Sequence, residues 1–95
     1  MIVIREVFVA RPGQASNLAA LMKEAVDAGM VGKCRVMTDL TGDFNRVVLE
    51  TELESLAEFE NRLEEYGRSE ALREKMKGYT EMYQTGGREI YRVWG

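Results

Sequence analysis

Two acids in otherwise apolar stretches, Glu6 and Glu50, are the residues of this chain best placed to do chemistry. Two carboxylates brought close in apolar surroundings cannot both ionise readily, so one pKa rises and the pair becomes a general acid or base near neutral pH. Arg5 and Arg35 compete with that reading, because an ion pair with either acid cancels the rise. Phe8, Arg35, Met37, Val48 and Tyr91 are the candidate ligand-binding residues around these acids. They combine aromatic and aliphatic walls with a few charges, which suits a small, partly apolar molecule bearing a hydroxyl or carboxylate. The plainer reading of the same charges is a set of interfacial salt bridges, since buried charges are usually paired. Trp94 and Tyr91 can stack an aromatic substrate, or simply serve as core.

Other chemistries are excluded or unsupported. The chain has no histidine, which removes imidazole-dependent hydrolases, histidine-ligated haem and most zinc sites. Cys34 is the only cysteine and sits in an apolar alternation, so it reads as a reduced, buried small hydrophobe. The turn from Asp39 to Asp43 lacks the alternating acidic spacing of a calcium loop, and no metal site is expected. Gly86-Gly87 is followed by no helix and cannot cradle a phosphate. The 13 basic and 16 acidic side chains give a net charge of −3 with no basic cluster, against a nucleic-acid partner. The aromatic signature of an RNA-recognition module is also absent, Val47, Val48 and Leu49 standing in its place.

The elements that must position these residues follow from periodicity. Ile2 to Arg11 reads as a strand stopped by Pro12, with Gly13 permitting the turn. From Gln14 to Ala28, Leu18, Leu21, Met22 and Ala25 fall at helical spacing, with Gly29 ending the helix and Gly32 in the connection. Lys33 to Thr41 alternates Cys34, Val36, Thr38 and Leu40 against Arg35, Met37 and Asp39, the period of a strand. The stretch 41–45 has turn composition, and Arg46 to Leu53 completes a hairpin. Ser55 and Glu58 form a capping box that starts a second helix, with a stripe of Leu56, Phe59, Leu63 and Tyr66 and an end at Gly67. Ser69 caps a further helix with a stripe of Leu72, Met76, Tyr79 and Tyr83, weakened at Gly78. Gly86-Gly87 is expected to turn the chain into a last strand from Arg88 to Trp94.

Strand, helix, strand, strand, broken helix, strand is the ferredoxin-like βαββαβ order, an α+β fold with an antiparallel sheet and both helices on one face. Residues 1–95 are expected to form one such domain. With 95 residues the core is modest, and the second sheet face is too apolar for water: Val3, Val7 and Val9 oppose Ile2, Ile4 and Phe8, and Met37, Val48 and Tyr91 add to one side or the other. A homodimer packed through the open sheet face removes that patch. The same reasoning points Arg35, Met37, Asp39, Val48 and Glu50 into the resulting barrel, joined from the first strand by Glu6 with Ile4 and Phe8, or alternatively by Arg5. Glu6 is the expected one. No apolar run reaches membrane-spanning length and no leader is evident, so a cytoplasmic location is the default.

The chain resembles the dimeric α+β barrel superfamily, most closely NIPSNAP-like and antibiotic-biosynthesis-monooxygenase-like domains. The resemblance rests on Phe8-Val9-Ala10-Arg11-Pro12-Gly13 before the first helix, on the third strand running into Glu54-Ser55-Leu56-Ala57-Glu58-Phe59-Glu60, and on the aromatic last strand. NIPSNAP-like chains carry an arginine two residues before the aromatic of the first strand. Glu6 stands there, with the arginine one place earlier at Arg5, on the opposite face. The haem-degrading relatives need a histidine that this chain lacks. The resemblance implies a homodimer binding a small, partly apolar organic molecule in the barrel cavity, without metal, haem or other cofactor. Two alternatives stand beside it: a cofactor-independent monooxygenase or isomerase on a phenolic or cyclic substrate with Glu6 or Glu50 as proton acceptor, and a non-catalytic structural or interaction protein.

Overall fold

The computed structural model describes residues 1–28 and 33–95. The expected helix end at Gly29 and connection at Gly32 lie outside the described residues. Four strands, β1 (Ile2–Ala10), β2 (Lys33–Thr38), β3 (Arg46–Leu53) and β4 (Tyr83–Arg92), form one antiparallel sheet in the order β2-β3-β1-β4. Helices α1 (Ala15–Asp27), α2 (Leu56–Arg68) and α3 (Glu70–Lys75) follow β1 and β3. This is the ferredoxin-like α+β fold with the first and third strands in the centre, as the order of elements predicts.

Local signals set most boundaries. β1 stops at Ala10, two residues before Pro12, and Gly13 takes φ +82° to launch α1. At α2 the Ser55 hydroxyl accepts the Glu58 N–H at 3.3 Å, while the Glu58 carboxylate takes the N–H of Glu54 at 3.1 Å, a capping box that reaches one residue further back than the usual form. Ser69 caps α3 through the Leu72 N–H.

Three expectations are corrected. Leu40 is not in β2: the strand ends at Thr38 and Leu40 is 98% exposed. The third helix does not run on to Tyr83: it ends at Lys75, Gly78 takes φ +88°, and a single 3₁₀ turn, Tyr79–Glu81, leads directly into β4. Gly86-Gly87 is not a turn either, for both glycines lie inside β4 opposite Phe8 and Val7. The reason is steric, since a Cβ on Gly86 would stand 3.0 Å from the Val7 carbonyl oxygen and 3.3 Å from Phe8 Cδ1. Glycine lets β4 pass close beneath the Phe8 ring, which packs on Tyr83 with centroids 4.9 Å apart.

The core lies between the sheet and the helices. Ala10, Leu18, Met22, Ala25, Val47, Leu49 and Met76 form its buried cluster, with Ile4 2% exposed in the centre of the sheet. α1 supplies three of these residues, whereas α2 and α3 have no fully buried residue within their spans. α2 therefore stands off the sheet.

Candidate functional site

Parity along β1 decides which charges meet. The register pairs Ile2 with Leu53, Ile4 with Thr51, Glu6 with Leu49 and Phe8 with Val47, and paired residues share a face. Val47, Leu49 and Leu53 face the helices in the core, so Glu6 and Phe8 do too. Arg5, paired with Glu50, takes the open face. The expectation that Glu6 looks into the open face is overturned, and Phe8 is likewise separated from Arg35, Met37, Val48 and Tyr91. The larger apolar side chains Ile4 and Phe8 go to the thicker helix-side core; the valines are left for the open side.

Glu6 and Glu50 consequently stand on opposite sides of the sheet and form no carboxylate pair. Glu50 is clamped instead. Arg5 Nε donates to Oε2 at 2.7 Å, and Arg35 donates to Oε1 from Nε at 3.0 Å and from Nη2 at 2.6 Å. The Glu50 side chain is 7% exposed. The hydrogen bond from Arg5, followed by those from Arg35, outweighs burial and holds its carboxyl below the ordinary carboxylate range. The same pairing raises Arg5, whose guanidinium also lies over the Tyr91 ring at 5.9 Å. A carboxylate held in its ionised form by two guanidiniums is a poor proton acceptor.

The helix-side acid has different surroundings. Between the sheet and α2–α3 lies a cavity of about 400 Å³, within the size range of small-molecule sites. Its floor is Ile4, Leu49 and Leu53, and its roof is Phe59, Leu63, Tyr66 and Leu72. Glu6 lies at the wall, and Arg88, its register partner on β4, approaches Glu6 Oε1 through Nη2 at 3.3 Å. The Arg88 guanidinium also stacks over Phe59 at 5.1 Å, at a rim where Leu63 is 43% exposed. Tyr66 and Tyr79 line the cavity half-buried. Burial pushes both phenols above the ordinary tyrosine range, with the nearby Glu6 charge adding to it. Cys34 faces the same cavity, its Sγ 3.3 Å from the Thr51 hydroxyl.

Tyr66, Tyr79 and Arg88 thus belong to a site that sequence periodicity assigned to packing or to a strand start. The usable signal was the Glu6–Arg88 pairing, visible only once the β1–β4 register is known. Trp94, a stacking candidate, is 89% exposed beyond the end of β4. Among the described residues no group of acidic, cysteine or histidine side chains is arranged to hold a metal ion, and no helix is long and apolar enough to cross a membrane.

No family model and no curated protein matches the chain. Solved structures do match it in fold. A NIPSNAP family protein from Agrobacterium tumefaciens is 16% identical with a TM-score of 0.83, over 96% of this chain and 90% of that one. A NIPSNAP-like domain protein from Burkholderia xenovorans is 17% identical with a TM-score of 0.84, over 98% and 84%. An antibiotic biosynthesis monooxygenase is 14% identical with a TM-score of 0.72, over the full length of both chains. The likeness extends across the whole chain, and at these identities it is one of fold.

Proposed function

We propose that the protein binds a small, partly apolar organic molecule in the cavity beneath α2, and that it does so as a subunit of a homodimer closed through the open sheet face. The observation that carries the reading is a mainly apolar cavity of about 400 Å³ whose lining carries the Glu6–Arg88 ion pair, with Arg62 and Glu65 also on its wall and two half-buried phenols beside it. Apolar walls supply affinity, and a few convergent polar groups supply orientation. Arg88 uses one Nη of its guanidinium on Glu6, leaving donors for an acceptor on the ligand. The other Glu6 oxygen can accept a hydrogen bond from a hydroxyl or amide of the same molecule.

The test is a fluorescence titration with 8-anilinonaphthalene-1-sulfonate, an apolar aromatic probe with an anionic group. Wild type is expected to bind it saturably. Leu63→Trp, which fills the rim of the cavity from an exposed position, is expected to weaken binding by about tenfold or more, the effect of losing one to two kcal/mol of contact. Equal binding by the two proteins, or none by wild type, sinks the reading.

A second reading, a cofactor-independent monooxygenase or isomerase acting on a phenolic substrate, draws support from one feature. Glu6 lies in the cavity, where a carboxylate can accept a proton from a bound hydroxyl, and the clamped Glu50 does not. Oxygen consumption with a panel of dihydroxyarenes, lost in Glu6→Gln, is its measurement.

A further inference from the structure

The acids on the two faces of the sheet differ in how completely their guanidinium partners satisfy them. Glu50 takes three bonds of 2.7, 3.0 and 2.6 Å, and its side chain is 7% exposed. Glu6 meets Arg88 through one oxygen at the longer distance of 3.3 Å, with 26% of its side chain exposed. In the low dielectric of a cavity wall, a carboxylate with an oxygen to spare acts strongly on whatever enters beside it.

The charged residues on the cavity lining are Glu6, Glu65, Arg62 and Arg88. Arg62 is engaged by Glu58 at 3.1 Å. Arg88 lies over the Phe59 ring at the rim with 43% of its side chain exposed, so water screens its charge more than that of Glu6. The two phenols on the wall register the balance. After burial, the Glu6 charge pushes both upward, against Arg73 at Tyr66 and together with the neighbouring tyrosines at Tyr79. A ligand beside Glu6 therefore meets a negative field. That field sorts ligands by charge and by proton. A neutral hydroxyl on an aromatic ring donates to the second Glu6 oxygen and accepts from Arg88, so both charges are met. A carboxylate on the same ring has no proton to give. It reaches Arg88 only by competing with Glu6, and stands as a like charge beside it. The apolar floor and roof favour the two ligands equally.

We propose that Glu6 is the specificity-determining residue of the cavity, selecting neutral hydroxylated aromatic molecules over the corresponding aromatic carboxylates. This rests on the cavity reading above and adds the charge class of the ligand. The selection is made by repulsion as much as by attraction, since the loosely held Glu6 carboxylate penalises an anion that the apolar walls alone would accept.

Isothermal titration calorimetry at neutral pH with 2-naphthol and 2-naphthoate tests it, because the two share a ring system and differ in the group presented to Glu6. Wild type is expected to bind the naphthol tighter by about tenfold or more. Glu6→Gln, close in shape and uncharged, should tighten the naphthoate and loosen the naphthol, so that the ratio of their dissociation constants falls by about tenfold. It should also bind 8-anilinonaphthalene-1-sulfonate, an anion, tighter than wild type does. Arg88→Gln should move the ratio the other way by about threefold or more. A merely structural role for either residue weakens both ligands alike and leaves the ratio where it was. Circular dichroism confirms each fold; should Glu6→Gln fail to fold, the wild-type ratio and Arg88→Gln carry the test. A wild type that holds the two ligands equally, prefers the naphthoate or binds neither, or a ratio unchanged in a folded variant, overturns the role of Glu6. The cavity reading survives that result if the sulfonate probe still binds wild type and is weakened by Leu63→Trp. A wild type that does not bind the probe, or naphthol binding undiminished in Leu63→Trp, overturns both.

Discussion

Replacing Glu50 with glutamine isolates what the clamped carboxylate does for the fold. Three charge-assisted hydrogen bonds converge on it, two from Arg35 and one from Arg5. Such bonds are each worth about 1.5 to 3 kcal/mol when both partners are buried. Here both guanidiniums are half-exposed or more and recover solvation when the acid is lost, so the net cost of Glu50→Gln is about 2 kcal/mol in total. For a chain of this size that lowers the melting temperature by about 8 to 16 °C. The pH dependence has a definite sign. The folded carboxyl is held below its ordinary value, so its contribution is fully present above the unfolded carboxylate pKa of about 4.3 and is lost as pH falls through the lower folded value. Wild type and Glu50→Gln should therefore differ at neutral pH and converge as the solution is acidified. Differential scanning calorimetry across that range reads both. A difference of less than about 2 °C at neutral pH, or one that stays constant down to about pH 3, refutes the account of Glu50 as an ionised keystone.

The adjacent glycines of β4 should respond oppositely to alanine. Gly86→Ala meets the Val7 carbonyl and the Phe8 ring and is expected to cost about 1 to 2 kcal/mol by overpacking. Gly87→Ala meets nothing within 4 Å and should be neutral or stabilising by up to about 1 kcal/mol through the unfolded chain; urea midpoints compare them, and equal effects would contradict the packing of Phe8. The cavity phenols should ionise late. Ultraviolet titration of wild type against Tyr66→Phe and Tyr79→Phe should lose, in each variant, a phenol titrating above the ordinary value of about 10. Because their folded pKa values are raised, their contribution is intact below the ordinary tyrosine value and declines as pH rises above it.

What the sequence made legible was what depends on near neighbours. The strand stop before Pro12, the Ser55–Glu58 box, the Ser69 cap and the two faces of β3 each rest on residues within a few positions of one another, and the structure keeps all of them. Gly86-Gly87 failed because two causes favour glycine. A turn needs positive φ and a crowded strand needs a missing Cβ, and only the position of Phe8, some eighty residues away in sequence, tells them apart. The cavity failed for a related reason. It forms because α2 stands off the sheet, a matter of relative placement that periodicity does not encode, and its amphipathic stripe reads the same whether it seals a core or roofs a void.

The charged pair of β1 shows how much one step of parity decides. A strand sends neighbouring side chains to opposite faces, so Arg5 and Glu6 could never share a site; the open question was which took which. Ile4 at 2% exposure and Ala10 at 1% fix the answer, because both sit on the Glu6 side and their packing against the helices holds the whole strand in place. A slip of one residue would return Glu6 to the open face at the cost of burying Arg5 in the core and exposing Ile4 and Phe8, a penalty far larger than any single ion pair can repay. The apolar residues thereby choose the chemistry. They send an arginine to the face where Glu50 requires a cation, and they hold a carboxylate against the cavity, where Arg88 occupies one of its oxygens and a bound molecule can reach the other.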